Sequence, residues 1–277
     1  MNPNLPEFNL AGKVILLTGG AGLIGNEVCD AFAAYGATVI VSDCRPGAEL
    51  QQRAETLAAK YPGSQALGLP LDVTSQDSVD RAFREILQRF GKLDVLVNLA
   101  AIDAKLDAHA GEINPSRFEN YPLELWEKSM DVNATGLIRV TQAAARCMLT
   151  KHSGNIINVA STYSLVAPNQ DLYKYPGENS QTFKPVDYVG TKSIVPNFTR
   201  YLATLYARDG IRCNCIVPHG IDNRHPQKFR DNFARLSPLG RLCRVEELRG
   251  PFVFLASDAS SYMTGSTVVV DGGWTAW

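Results

Sequence analysis

Short apolar runs, many of them β-branched, recur along the chain and are separated by stretches of amphipathic helical spacing. Runs at 13–18 (KVILLT), 37–42 (ATVIVS), 64–71, 94–98 (DVLVN), 154–160 (GNIINVA), 211–217 (IRCNCIV) and 266–271 predict strands. Helices are expected at 22–35, from Pro46 as first helical residue to Tyr61, from an N-cap at Ser75 through Phe90, and near 123–150, 186–208 and 245–256. Several strands are apolar on both faces, which suits strands covered by helices on each side.

Strand and helix alternate along the whole chain. The expected architecture is α/β: a single-domain, Rossmann-type, doubly wound parallel β-sheet of about seven strands flanked by helices, over residues 1–277. Two stretches, 101–121 and 162–185, fit no element. Both are long for loops of a compact domain, and both should leave the C-terminal edge of the sheet. They are expected to be insertions that flank a substrate crevice.

Composition narrows the function. Hydrophobic residues make up 45% and charged residues 20%, so the chain can bury a core. Lys and Arg number 27 against 28 Asp and Glu, a formal net charge of −1, which removes the simplest electrostatic case for nucleic-acid binding. No apolar run reaches the length of a membrane span, so no membrane partner is expected. Residues Met1 to Leu10 show no signal-peptide pattern. The six cysteines are scattered, form no C-x-x-C and have no His at ligand spacing. They read as reduced thiols in a cytoplasmic protein without a metal site.

The first strand runs into Thr18-Gly19-Gly20-Ala21-Gly22-Leu23-Ile24-Gly25 and then a helix. Glycines allow a tight turn and a close approach of backbone to a pyrophosphate, while the helix start offers free N–H groups. Gly19, Gly22, Leu23, Ile24 and Gly25 are therefore candidate dinucleotide-binding residues, the alternative being a plain strand–helix turn. Asp43 ends the second strand, where a carboxylate can accept from both adenosine ribose hydroxyls and repel a 2′-phosphate. That favours NAD over NADP, although Arg45 is close enough to tolerate the phosphate. Tyr188 and Lys192 form a Tyr-x-x-x-Lys pair on one helix face. Ser161 follows a strand end, and Asn133 lies within the helix expected at 123–150. Each has a plain alternative: a turn cap, a buried amide, a solvated lysine.

Taken together, the chain resembles the short-chain dehydrogenase/reductase family over nearly its full length. The likeness rests on TGGAGLIG at 18–25, Asp72-Val73, NLAA at 98–101, Asn133, Ser161, Tyr188 with Lys192, Pro218-His219-Gly220, and the ending from Thr264-Gly265 to Val270-Asp271-Gly272-Gly273. It implies that Tyr188 is the general acid/base, that Ser161 holds the substrate oxygen and that Lys192 binds the nicotinamide ribose. Asn133 would hold a water linking Lys192 to solvent. Asp72 would contact adenine, Val73 would join it in binding the cofactor, Asn98 and Ala100 would line the adenosine side, and Pro218, Gly220 and Ile221 would meet the nicotinamide. The chemistry is coherent: hydride leaves a carbinol carbon as its hydroxyl proton is removed, and nearby positive charge favours the phenolate that removes it.

Three departures from the family pattern stand out. Leu23 occupies a usual glycine position, leaving Gly19-Gly22-Gly25 closer to the family's extended branch. Asn98-Leu99-Ala100-Ala101 replaces Asn-Asn-Ala-Gly. Ser161 and Tyr188 are 27 positions apart, around twice the usual spacing.

The segment 162–185 carries Tyr163, Asn169, Gln170, Asp171, Tyr173, Lys174, Tyr175, Glu178 and Asn179, and 101–121 carries Asp103, Lys105, Asp107, His109 and Glu112. Polar groups beside aromatic rings suit a hydroxyl-rich small-molecule substrate. Solvated insertions with no ligand contact are the alternative. Tyr163 and His219 join Ser161 and Tyr188 as candidate substrate contacts, with His219 equally readable as a packed residue. Residues 116–126 (SRFENYPLELW) and the ending from Ser257 to Trp277 are similar to a sub-branch around bacterial surface-carbohydrate pathways, which implies a sugar or polyol-like alcohol. The resemblance also implies a homotetramer, or a homodimer, built on helices 123–150 and 186–208. Competing readings are a non-catalytic NAD(H)-binding sensor or scaffold and a sugar epimerase or dehydratase that recycles its NAD.

Overall fold

The computed structural model describes residues 6–106, 113–175, 177 and 181–276; Asp107, His109, Glu112, Glu178, Asn179 and Trp277 lie outside the described residues. The chain runs through β1 (Val14–Thr18), α1 (Leu23–Ala34), β2 (Thr38–Asp43), α2 (Gly47–Lys60), β3 (Gln65–Pro70), α3 (Gln76–Phe90) and β4 (Val95–Asn98). It continues with α4 (Leu123–Met130), α5 (Leu137–Leu149), β5 (Gly154–Val159), α6 (Val186–Tyr206), β6 (Ile211–Pro218), α7 (Gln227–Leu236), α8 (Arg249–Ala256) and β7 (Thr267–Val270). All seven strands pair in parallel, in the order β3-β2-β1-β4-β5-β6-β7.

Alternate side chains of the central strands feed two cores. Ile15 and Leu17 of β1 and Val39 and Val41 of β2 meet Val28 and Phe32 of α1, Leu50 and Leu57 of α2, and Phe252 of α8. Val14 and Leu16 of β1 and Ile40 of β2 face the other way, onto Val79, Phe83 and Ile86 of α3 and Val140 of α5. This period of two, apolar on both sides, is what a helix-covered parallel sheet requires. Among the described residues no helix is long and apolar enough to cross a membrane.

The fold departs from the expected elements in several places. Pro46 is the residue before α2 rather than its first residue. The helix expected at 123–150 is broken by a π-turn at Asp131–Gly136, which separates α4 from α5. The stretch 245–256 begins as a 3-10 turn, Val245–Leu248, before α8. Helix α7 was not expected at all, although Pro226 precedes it and Phe229, Phe233 and Leu236 mark one face. Segment 162–185 is also not wholly irregular, since it holds 3-10 turns at Thr162–Ser164 and Gln170–Tyr173.

Helix α2 lies directly on β3. A Cβ placed on Gly68 would sit 2.1 Å from the Leu50 carbonyl carbon, a clash with helix backbone. Gly68→Ala should therefore destabilise the protein by about 1–3 kcal/mol, the usual penalty for overpacking, read as a lowered urea midpoint at unchanged m-value. An unchanged midpoint would mean that α2 stands further off the sheet.

Candidate active site

The chain order reverses at β1 and β4, which are neighbours in the sheet. Their C-terminal ends open a cleft of about 570 Å³. Gly19, Gly22, Leu23, Ile24, Gly25 and Asp43 line one end of it. Ala100, Ser161, Tyr163, Tyr188 and Lys192 line the middle, together with the backbone run Pro218, His219, Gly220 and Ile221.

The turn after β1 is built for close approach. Gly19 has φ +69°, and its missing Cβ would lie 3.0 Å from Ala100 Cα; a Cβ on Gly25 would lie 2.2 Å from the Gly19 carbonyl oxygen. Gly22 at the N-cap provides no side-chain cap, and the first turn of α1 has no acidic residue. The leading N–H groups of α1 thus lack intrahelical acceptors and suit an anion. The Thr18 hydroxyl accepts from the N–H groups of Leu99 and Ala100 (3.1 and 3.2 Å), holding the β4 exit beside the turn. Asp43 accepts from the Ala21 N–H (3.3 Å), with Arg45 Nε 3.9 Å from its second oxygen. This donor set fits the pyrophosphate and ribose of a nicotinamide dinucleotide.

Beyond the turn, Ser161 caps a 3-10 turn, its hydroxyl accepting from the Tyr163 N–H (3.3 Å). Lys192 is buried, and its Nζ donates to the Val159 carbonyl (2.7 Å) at the end of β5. Burial pushes its ammonium down to about 8, with Cys215 and Asp103 opposing the shift. Lys192 Nζ lies 5.9 Å from the Tyr188 ring centroid. The expectation that neighbouring cations make Tyr188 acidic does not hold for the cofactor-free chain. Burial pushes the phenol above its usual range, the Asp103 carboxylate adds to the rise, and hydrogen bonding with Ser161 opposes it.

Four residues expected in the site do not line the cleft. Asp72 turns its carboxylate onto the Thr74 N–H and hydroxyl (2.9 and 2.7 Å) at the approach to α3. Val73 is buried in the core under α5, and its carbonyl accepts from Arg139. Asn98 is buried with its amide donating to Thr141 and Asn158 (both 2.9 Å), so it ties β4 to β5 and α5. Asn133 sits in the π-turn. Its side chain accepts from the Ile102 N–H (2.8 Å) and donates to the Ile102 carbonyl and the Thr191 hydroxyl (2.9 and 3.1 Å). It braces the β4 exit against α6 from behind.

Lys184, not among the expected site residues, lines the cleft with its ammonium 4.4 Å from the Tyr188 ring centroid. Phe229 and Phe233 of α7, also unexpected there, form an apolar wall. The spacing of those two phenylalanines carried a helical signal; Lys184 carried none. Tyr163 meets the Tyr188 ring edge-on, with centroids 6.5 Å apart, and its hydroxyl is 3.3 Å from that of Tyr173. A smaller cavity of about 300 Å³, lined in part by Arg117 and Phe183, contains neither the glycine turn nor a strand end.

His219 is buried, with Nδ1 2.5 Å from the Thr162 hydroxyl and its ring 4.4 Å from that of Trp274. Its Nε2 has no partner within the protein. Burial pushes the imidazole down to about 4, with Asp271 opposing. The folded chain thus binds this proton later than the unfolded chain as pH falls. The contribution to stability is complete above about pH 6.5 and is lost between there and about pH 4, roughly 3 kcal/mol in all. Urea midpoints from pH 7.5 to 4 should fall less steeply for His219→Gln than for the wild type; parallel profiles would contradict this.

Comparison with known proteins places the chain among relatives. A family profile described as enoyl-(acyl carrier protein) reductase matches residues 20–275. The chain is 29% identical to an NAD-dependent glycerol dehydrogenase of Listeria innocua, over 97% of this chain and 96% of the relative. It is 31% identical to a 3-oxoacyl-(acyl-carrier-protein) reductase of Thermotoga maritima, over 96% and 99%. A crystal structure of a short-chain type dehydrogenase/reductase from Mycobacterium marinum superposes with a TM-score of 0.81 at 33% identity, covering 97% of both chains. With the glycine turn, the parallel sheet and the profile match in agreement, the chain belongs to the short-chain dehydrogenase/reductase family.

Proposed function

We propose that this protein is an NAD-dependent oxidoreductase that moves hydride between nicotinamide and a secondary alcohol or its ketone, with a sugar or polyol-like compound as substrate. One observation carries the reading: Ser161, Tyr188 and Lys192 share a single cleft with an uncapped glycine-rich helix start and Asp43. The turn at 19–25 would hold the pyrophosphate, Asp43 the adenosine ribose hydroxyls, Lys192 the nicotinamide ribose, and the backbone at 218–221 the carboxamide. The bound nicotinamide supplies the hydride acceptor or donor.

The remaining chemistry belongs to the chain. Tyr188 takes the proton of the substrate hydroxyl, or returns it to the ketone oxygen. Ser161 donates to that oxygen as charge develops on it. Lys192, anchored on the Val159 carbonyl, keeps positive charge near the phenol. Asn133 keeps the β4 exit and α6 in register rather than touching substrate. Asp43 supports NAD over NADP because its carboxylate opposes a 2′-phosphate, and the nearby Arg45 has that carboxylate as its neighbour.

The substrate class rests on the lining, since the relatives named above act on unlike compounds by their names. Asp103, Lys105, Tyr163, Tyr173 and Lys184 come from the two insertions and line the cleft. Hydroxyl, carboxylate and ammonium groups beside rings favour a hydroxylated ligand, with Phe229 and Phe233 supplying its apolar wall. Assembly as a homotetramer, or a homodimer, is supported by exposed apolar residues on the two helices concerned: Ile138 on α5, and Ile194, Tyr201 and Leu205 on α6.

Three measurements check these readings. In a panel of polyols, sugars, aliphatic alcohols and steroids followed by NADH absorbance, NAD should outperform NADP and hydroxylated compounds should turn over best. Tyr188→Phe should lose about 10²–10⁴-fold in turnover while still binding NADH. Preference for steroidal or simple aliphatic alcohols would overturn the substrate class, and full turnover in Tyr188→Phe the mechanism. Light scattering at micromolar concentration should give the mass of a tetramer or dimer; a monomer would remove the assembly.

A further inference from the structure

The two insertions are fastened to each other above Tyr188. Asn114 donates to the Gln181 carbonyl (2.8 Å), and the Phe183 N–H donates to the Ser116 hydroxyl (3.0 Å). Gln170 accepts from the Lys184 N–H (2.9 Å), and its carbonyl accepts from Gln181 (2.7 Å). The backbone at Gln181, Phe183 and Lys184 is thus pinned. The Lys184 side chain is 10% exposed and ion-paired to Asp103, which follows β4. Its ammonium lies 4.4 Å from the Tyr188 ring centroid and 5.8 Å from that of Tyr163. It is nearer to the Tyr188 ring than is Lys192, at 5.9 Å.

We propose that Lys184 is a positioning residue that acts through Tyr188: held over the phenol ring by Asp103, its ammonium favours the phenolate, so the Asp103–Lys184 pair governs how readily Tyr188 releases its proton. This rests on the reading of Tyr188 as the acid/base. It gives the extra residues between Ser161 and Tyr188 a specific role, delivery of a second cation from a loop. The two members of the pair act in opposite directions. A cation within about 4–6 Å in a water-poor site draws the phenol toward ionisation by about 1–3 pH units, and a carboxylate at similar range holds it back.

The other groups facing Tyr188 among the described residues are known and enter as a constant background. Lys192 comes from α6, Ser161 and Tyr163 from the turn after β5, with Tyr173 behind Tyr163. His219, after β6, reaches only as far as the Tyr163 ring, with centroids 5.6 Å apart, and its neutral imidazole adds no charge at neutral pH.

The test is a titration of the full-length protein saturated with NAD, labelled with ¹³C at tyrosine Cζ, with the Tyr188 signal assigned by its loss in Tyr188→Phe. The midpoint should rise by at least about one pH unit in Lys184→Met, a tenfold change in proton affinity. It should fall in Asp103→Asn, stay near wild type in Lys184→Arg, and return toward wild type in the double variant. Circular dichroism confirms that each variant is folded; if Lys184→Met does not fold, the Asp103→Asn and Lys184→Arg arms decide the question. Coincident midpoints, shifts of the same sign in Lys184→Met and Asp103→Asn, or a wild-type signal that remains phenolic up to pH 11 would overturn the proposal. Absence of NAD binding, or full turnover in Tyr188→Phe, would instead defeat the underlying reading.

Discussion

The cleft exists because the helices following β1 and β4 leave the sheet toward opposite faces. Helix α1 packs into the core shared with α2 and α8, while α5 packs into the core shared with α3 and α6. Two neighbouring parallel strands whose continuations part in this way leave a gap at their C-terminal ends. Much of the cleft is built from the loops that leave the strand ends around that gap. The glycine turn leaves β1, Ala100 and Asp103 leave β4, Ser161 leaves β5 and His219 leaves β6. The parallel register then places these ends at one level, because Thr18 pairs with Asn98, and Asn98 with Asn158.

Buried amides hold that level in place. Asn98 bonds Thr141 and Asn158, and Asn158 in turn donates to the Thr199 hydroxyl (3.0 Å) of α6. Asn133 does the same work one layer nearer the cleft, between Ile102 and Thr191. Such groups are expensive to bury unless each finds a partner, so a satisfied network favours one arrangement of strands and helices over its neighbours. Asn98 and Asn133, which family likeness assigns to cofactor and water contacts, thus also tie together β4, β5 and α6.

The electrostatics of the cleft follow from the desolvation of its individual groups. Burial moves Lys192 toward neutrality, pushes Tyr188 up and keeps His219 neutral. All three shifts disfavour charge, as expected when desolvation dominates. The site therefore needs cations close to the phenol more than an exposed site would. Among the described residues, Lys192 from the helix and Lys184 from the insertion are the ammonium groups that lie over the Tyr188 ring.

Periodicity and local chemistry determined a good deal without any coordinates. The seven strands, the parallel helix-covered sheet, the glycine turn with Asp43 and the Tyr188–Lys192 pair all rest on patterns within a few residues of one another, where spacing alone sets which side chains share a face. Only the folded chain decided that Asp72 faces Thr74, that Asn98 and Asn133 bind the scaffold, that α4 and α5 are parted by a π-turn, and that α7 walls the cleft. It alone brought Lys184 to Asp103, 81 positions away. Contacts of that kind depend on where separate loops leave the sheet and which backbone groups pin them, and no local periodicity encodes either.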